Sequence, residues 1–234
     1  MKISIKALCL FIFFFINAQA NAQFDIIGTY NKQVLQNWSG TYTRIGQYKV
    51  KGSGYFLGES FSGKIKFEGM DLMQSKNLYY DLYNQVVLIQ QNNDLISVDQ
   101  VIENFSVVLP EKFGGGSKQF KNTKFFGITK LKGYFEVLEE GPKAVFLKFY
   151  NIRVAPDPSN MYDKEAKLFE QYQEYYIFNP ETKTLDNVKL KAKEINKAIL
   201  ALKLKDEDLI DLKSFDFSKE LEILRFFVKI NSSN

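Results

Sequence analysis

The chain has 234 residues, 45% hydrophobic and 25% charged, and these ordinary globular proportions exclude a chain that is disordered throughout. It contains no histidine, and its one cysteine, Cys9, lies in an N-terminal segment that we expect to be removed, so catalysis by imidazole or thiolate and Cys/His metal cages are excluded. The net charge is +4 with lysines and acids interspersed, and without a basic stripe we expect no nucleic-acid binding.

Residues 1–22 have the pattern of a signal peptide. A start with two lysines precedes an apolar run of about ten residues at positions 7–16, and two small-x-small sites end at Ala20 and Ala22. The run is shorter than the roughly 20 residues that span a bilayer, and Cys9 precedes most of it, whereas a lipoprotein cysteine would follow it. We therefore predict an exported product, periplasmic or secreted, with no transmembrane segment after cleavage.

From about residue 55 to residue 178 polar and apolar residues alternate with a period of two, which is typical of strands with one packed face. The clearest turn is Glu140-Gly141-Pro142, between two cleanly alternating runs. The pattern predicts strands near residues 63–67, 78–81, 86–90, 95–97, 105–109, 124–129, 133–139, 143–151, 171–178 and 184–188. Short connections between them favour an antiparallel meander, either a barrel or a sandwich.

Two connections are predicted to be long and exposed, residues 110–119 and residues 154–167. The first contains three consecutive glycines, and the second contains Pro156 and Pro158. Because binding residues are frequent on long loops, these two are candidates for contact with a partner.

C-terminal to the last predicted strand the period changes to about 3.6 residues. We predict helices at residues 191–202 and 206–212, and a third with Ser218 as its N-cap. The predicted fold class is α+β and mostly β: a β-rich domain at residues 23–190, and a helical segment at residues 191–234 that packs on it.

Several short motifs occur in order along most of this chain. They are Gly54-Tyr55-Phe56-Leu57 with Gly63-Lys64-Ile65, Tyr80-Asp81-Leu82-Tyr83-Asn84, Gly133-Tyr134-Phe135-Glu136-Val137-Leu138, Glu174-Tyr175-Tyr176, and Asp208-Leu209-Ile210 with Phe215-Asp216-Phe217-Ser218 and Phe226-Phe227. In these motifs the chain resembles a family of uncharacterised secreted proteins common in Gram-negative bacteria of the Bacteroidota type. The resemblance implies export and a β-rich fold, and it brings no catalytic residue and no ligand.

Paired carboxylates are the one serious enzymatic hypothesis, because they can hydrolyse glycosides without histidine. The candidate acids are Asp81, Glu136, Asp157 and Glu174. Glu136 lies within a predicted strand on a partly apolar face, where its pKa could be raised. We favour the alternative that Glu136 pairs with a lysine on the neighbouring strand, for instance Lys148.

Other constellations are explained more simply by structure. The glycine-rich runs lack the spacing of phosphate-binding or dinucleotide-binding loops, and the acidic cluster at residues 206–211 lacks the order of a calcium loop, so we expect no cofactor and no metal. Aromatic residues could stack on a sugar, although packing within the sheet is favoured. The aromatic candidates are Trp38, Tyr42, Tyr48, Tyr55, Tyr172, Tyr175 and Tyr176.

The sequence therefore favours an exported, non-enzymatic binding or accessory protein of the cell envelope. It would dock on another envelope protein through residues 110–119 or 154–167. Two alternatives stay open at this point: a β-barrel that holds a small apolar ligand or a glycan, and a hydrolase with two carboxylates about 5–10 Å apart.

Overall fold

The computed structural model describes residues 27–28, 42–45, 48–92, 94–98, 100–160, 162–204 and 212–232, so the predicted signal peptide at residues 1–22 lies outside the described residues. The described part is mostly β, as the alternating pattern predicts, with two α-helices near the C-terminal end. The elements are β1 (Ile27–Gly28), β2 (Tyr42–Ile45), β3 (Tyr48–Lys51), β4 (Phe61–Phe67), β5 (Leu72–Asp81), β6 (Val86–Gln91), β7 (Asp94–Val98), β8 (Ile102–Val108), β9 (Ser117–Asn122), β10 (Tyr134–Glu140), β11 (Val145–Pro156), β12 (Ala166–Asn179), β13 (Thr184–Val188), α1 (Ala192–Ala201) and α2 (Glu220–Ser232).

All 13 strands of the described residues belong to one sheet. Its order is β1-β7-β6-β5-β4-β8-β9-β10-β11-β12-β3-β2, with β13 beside the C-terminal part of β12. Neighbouring strands are antiparallel except β12 and β3. Within the described residues the end strands β1 and β2 do not pair with each other, so the sheet is open and sandwich-like, and the barrel alternative is not what forms.

One face of the sheet, here called the inner face, carries a core of aromatic rings. The rings of Phe105 and Phe120 stack with centroids 4.7 Å apart. Phe56, from a short 3-10 helix before β4, contacts Tyr80 of β5 on one side and Tyr150 of β11 on the other. Because strands far apart in the sheet order meet across Phe56, the sheet must curve around this core.

The alternation along β11 separates two environments. Val145, Leu147 and Phe149 point to the outer face, where residues 126–131 cover them. Phe146 and Tyr150 point to the inner face. A strand that is apolar on both faces has to be covered on both, and β11 is covered by residues 126–131 on the outer face and by rings and helices on the inner face.

The two helices pack on the inner face beside the ring core. Phe227 of α2 stacks on Phe146 at 5.3 Å between centroids, and Ile195 and Ile199 of α1 join the same cluster. At the far end of α2 the Asn231 amide bonds the backbone of the turn between β10 and β11. The C-terminal segment is therefore part of the same packed body as the sheet.

Two of the sequence-based boundaries were wrong. The strand predicted at 124–129 is instead β9, at Ser117–Asn122, and Thr123–Phe126 forms a 3-10 helix that Asn122 caps by accepting a hydrogen bond from Lys124 N. The pattern misled because Phe120 is the one apolar residue in β9. The predicted loop 154–167 is also shorter than expected, because β11 continues to Pro156 and β12 begins at Ala166, so residues 157–165 connect the two strands.

The three predicted helices had different outcomes in the structure. The first is confirmed as α1. Residues 206–211 of the second lie outside the described residues. The third helix begins at Glu220, and Ser218 does not cap it, because the Ser218 hydroxyl donates to the Asp216 carboxylate at 2.6 Å.

Candidate functional site

A row of polar side chains crosses the inner face between the ring core and the helices. Glu136 of β10 lies opposite Lys148 of β11, and Lys148 lies opposite Tyr175 of β12. Glu136 and Lys148 are both buried, with 4% and 5% of their surface exposed. Alternation places them on the same face as Phe146 and Tyr150, so the row, here called the polar row, is forced inside by the strand pattern.

The polar row is internally paired. The Glu136 carboxylate accepts hydrogen bonds from Lys118 Nζ at 2.5 Å and from the Tyr150 hydroxyl at 2.6 Å. Lys148 Nζ lies 3.9 Å from Glu136 and 2.6 Å from Glu220, the first residue of α2. The predicted pairing of Glu136 with Lys148 is thus present, although each has a closer ionic partner. The sequence pattern did not indicate that Glu220 pairs with Lys148, nor that α2 contributes a side chain to the row.

Burial and hydrogen bonds set the protonation states in the row. Burial opposes ionisation of Glu220, but hydrogen bonds from Lys148 and Tyr175 outweigh it and hold the pKa of Glu220 below its ordinary value. Burial, reinforced by the Glu136 carboxylate, raises the pKa of Tyr150 well above its ordinary value. Burial and the hydrogen bond to Glu220 do the same for the pKa of Tyr175. The row therefore holds the Glu220 carboxylate in its ionised form beside two protonated phenols.

The row also brings two acids close together, as a hydrolase would require. The contacts of 3.9 Å and 2.6 Å on one Lys148 nitrogen place the Oε2 atoms of Glu136 and Glu220 at most about 6.5 Å apart. A glycoside hydrolase needs one of its two acids protonated, with a raised pKa. Glu220 has a lowered pKa, and lysines and tyrosines already bond both carboxylates. This is the arrangement of a structural ion network.

The other three candidate acids are engaged locally at separate places. Buried Asp81 accepts hydrogen bonds from the backbone of the turn after β5, including Asn84 N at 2.9 Å. Asp157 accepts from Ser159 in the turn after β11. Glu174 lies on the outer face and accepts from Asn151 at 2.7 Å. All three stabilise turns or strand pairs.

A groove of about 450 Å³ opens on the outer face. Its apolar floor is formed by Phe126, Val145 and Phe178, and Phe125 forms one exposed wall. The complete lining is Lys121, Phe125, Phe126, Gly127, Glu140, Gly141, Val145, Phe178, Pro180 and Lys183. The lining comes from β9, the 3-10 helix after it, and the turns that end the β10–β11 and β12–β13 hairpins. We refer to this recess as the outer groove.

Two lysines flank the outer groove. Lys121 Nζ pairs with Glu140 at 2.8 Å and lies 5.2 Å from the centroid of the Phe126 ring. Lys183 Nζ lies 6.0 Å from the centroid of Phe178. Over the described ranges no carboxylate forms an ion pair with Lys183. The rim therefore carries one uncompensated positive charge beside an aromatic floor.

The space inside the curved sheet is filled by side chains. Beyond the Phe105 and Phe120 stack, Phe56 meets Tyr150 at 4.8 Å between centroids, and Tyr80 meets Tyr134 at 5.7 Å. These rings occupy the position that a ligand would take inside a β-barrel. The described residues thus provide a recess for a ligand on the outside of the sheet.

The two predicted long loops differ in exposure. Residues 110–116 fold back on themselves through hydrogen bonds to Pro110 O, and Phe113 packs against Phe61. In the turn between β11 and β12, Tyr162 is completely exposed. Only the second of these loops presents an aromatic side chain to solvent.

Most of the aromatic candidates whose side chains are described are packed. Tyr55, Tyr175 and Tyr176 are buried, whereas Tyr172 is exposed beside Arg153. Trp38 and the side chains of Tyr42 and Tyr48 lie outside the described residues. Among the described residues no cluster of three acidic, histidine or cysteine side chains could hold a metal ion, and no helix there has the length and apolarity to cross a membrane.

Comparison of the chain with family models, curated proteins and solved structures finds no match. The resemblance drawn from the short motifs stays a prediction. The function is therefore inferred from the geometry of the polar row and the outer groove.

Proposed function

We propose that this protein is an exported, non-enzymatic binding protein of the cell envelope, and that the outer groove is its binding site. The observation that carries the proposal is the groove itself. It combines an aromatic floor with a charged rim on a body whose inner face is filled by rings and paired charges. Concave recesses with apolar walls and few polar groups are typical of small-ligand sites.

The polar row supports a binding role over hydrolysis. The lowered pKa of Glu220 leaves it without a proton to donate to a leaving group, and Glu136 is already bonded to Lys118 and Tyr150. Opening the row would require removal of Glu220 from Lys148. The row instead joins α2 to the sheet that supports the groove.

Export is supported by the leader pattern of residues 1–22. The full-length gene, expressed in a Gram-negative host, should yield a protein in the periplasm or medium that begins near Gln23, as N-terminal sequencing would establish. The same gene without residues 2–22 should leave its product in the cytoplasm. Cytoplasmic retention of the full-length product would contradict the export half of the proposal.

The binding half is tested by a fragment screen read by NMR on the exported protein. Fragments should shift the NMR signals of Phe125, Phe126 and Phe178. The variant Phe125→Ala should bind these fragments more weakly, because it removes one groove wall. Tyr172→Ala is the matched control, since Tyr172 has similar exposure and lies outside the groove. Fragments that gather around Glu136 and Glu220, or that bind equally to both variants, would contradict the groove assignment.

A further inference from the structure

The outer groove has a buried aromatic floor, with Phe126 and Phe178 each 4% exposed, and an exposed aromatic wall, Phe125, at 36%. Phe126 and Phe178 meet edge to face, with centroids 5.2 Å apart at an interplanar angle of 71°. Both are buried within the outer-face cluster, so their orientation is fixed by packing. A planar ring in the groove can stack on the exposed Phe125 ring while it rests on this fixed floor, and stacked or edge-to-face contacts are the geometries that aromatic groups prefer.

The charge on the rim selects for an anion. Lys121 is already bonded to Glu140, whereas Lys183 makes an ion pair with no carboxylate in the described ranges. A single negative group on the ligand would neutralise the remaining charge. A dianion would bring a second charge close to Glu140, which is unfavourable.

The backbone holds Lys183 in place at the rim. The buried Asn179 side chain accepts hydrogen bonds from Glu181 N at 2.9 Å and Thr182 N at 3.2 Å, and Lys183 N bonds Asn179 O at 2.9 Å. These bonds fix the turn between β12 and β13 before any ligand arrives. A site that is already ordered loses less entropy on binding.

Size limits the ligand further. The volume of about 450 Å³ is near the lower end of the range of roughly 300–1,000 Å³ seen for small-molecule sites. One or two fused rings with a short polar group fit this space, and the acyl chains of a phospholipid do not.

We propose that the outer groove binds a small aromatic carboxylate, with its rings against Phe125 above the aromatic floor and its carboxylate on Lys183. This inference rests on the proposed binding function and specifies its ligand class. The carboxylate would form a charge-assisted hydrogen bond with the Lys183 ammonium, an interaction stronger than that with a neutral hydroxyl. The exposed Phe125 ring would supply most of the apolar contact.

The test compares naphthoate with its uncharged analogue naphthalenemethanol, by calorimetry and NMR on the exported protein. We expect naphthoate to bind about tenfold more tightly than the alcohol, as a charge-assisted bond implies, with shifts in Phe126 and Phe178. Added salt should weaken the binding of naphthoate and leave the binding of the alcohol unchanged. Lys183→Gln should remove the preference for the acid, Lys183→Arg should retain it, and the exposed control Lys189→Gln should not affect it.

The outcomes separate this inference from the proposed function. Equal binding of acid and alcohol in the groove, or a preference that survives Lys183→Gln, would overturn the ligand class and leave the binding role intact. Failure of both probes to shift the groove, together with fragments bound at another place, would overturn both. Folding of each variant is checked by its NMR spectrum without ligand, because Lys183 is exposed and its replacement should not disturb the fold.

Discussion

Replacement of Lys148 by methionine should destabilise the fold, because Lys148 is a buried cation that contacts both Glu136 and Glu220. Methionine keeps a similar shape and removes the charge. Loss of one partner from a buried ion pair costs about 3–5 kcal/mol. Here Glu136 keeps Lys118 and Tyr150, and the Glu220 side chain, 35% exposed, can regain water. We therefore expect the lower end of that range, about 3 kcal/mol of unfolding free energy.

The measurement is urea unfolding followed by circular dichroism, at neutral pH. The matched control is Lys112→Met, which breaks the pair with Glu59, in which both side chains are largely exposed, at 58% and 44%. Exposed pairs contribute less than about 1 kcal/mol, so this variant should be almost as stable as the parent. Adding Glu220→Gln to Lys148→Met should restore part of the loss, because the unpaired carboxylate is then gone.

Hydrogen exchange gives a second measure of the same prediction. In Lys148→Met the first turn of α2 should exchange faster than in the parent, since Glu220 loses its ionic tie to the sheet. Equal losses of stability in the Lys148 and Lys112 variants would refute the reasoning. It would mean that the polar row contributes no more than a surface ion pair.

Three further predictions concern the turns, the strand spacing and the pH dependence. Asn231→Leu should lower the free energy of unfolding by about 2 kcal/mol in urea, because two backbone groups of Ala144 lose their partner. Asn231 accepts a hydrogen bond from Ala144 N at 3.2 Å and donates one to Ala144 O at 3.0 Å. A variant as stable as the parent would contradict this prediction. Gly63→Ala should lower the free energy of unfolding by about 1–3 kcal/mol, because a Cβ at this position would collide with the backbone of Ser106 on β8. An unchanged urea midpoint would show that β4 and β8 do not approach each other this closely. Burial raises the pKa of Tyr134 from 10.0 to about 12, so above pH 10 this tyrosine ionises in the unfolded state before it does in the folded state. The free energy of unfolding should therefore fall as the pH rises from 10 to 12. Urea midpoints that stay constant over this range would contradict the prediction.

The sheet was predictable because its signal is local. Alternation of apolar and polar residues in Phe61–Phe67 marks a strand wherever the strand sits in the fold, and the residues at Gly141 mark a turn in the same local way. The strand at Ser117–Asn122 has a single apolar residue, and its register comes from neighbours on both sides. Its position could be known only from the assembled sheet.

The site was predicted in part. Glu136 and Lys148 fall on strands that one short turn joins, so a contact between neighbouring strands could be predicted from the sequence. The register shift between Val137 and Glu139 that brings Glu136 directly opposite Lys148 is a feature of the structure. Glu220 lies 72 residues beyond Lys148 in the chain, and no periodicity connects them. The outer groove had no sequence signal, because Phe126 and Phe178 resemble any other core aromatic residues until the turns beside them are placed.

The sequence by itself determined the chemical repertoire and the type of secondary structure. The absence of histidine limits the proton chemistry, and the period-two pattern followed by a 3.6-residue period specifies strands and then helices, since both properties depend on neighbouring residues alone. Only the tertiary structure decided that the sheet stays open, that α2 supplies a carboxylate to Lys148, and that Lys121 and Lys183 flank one groove. These features depend on how distant segments pack, and packing is set by the whole body rather than by any one segment.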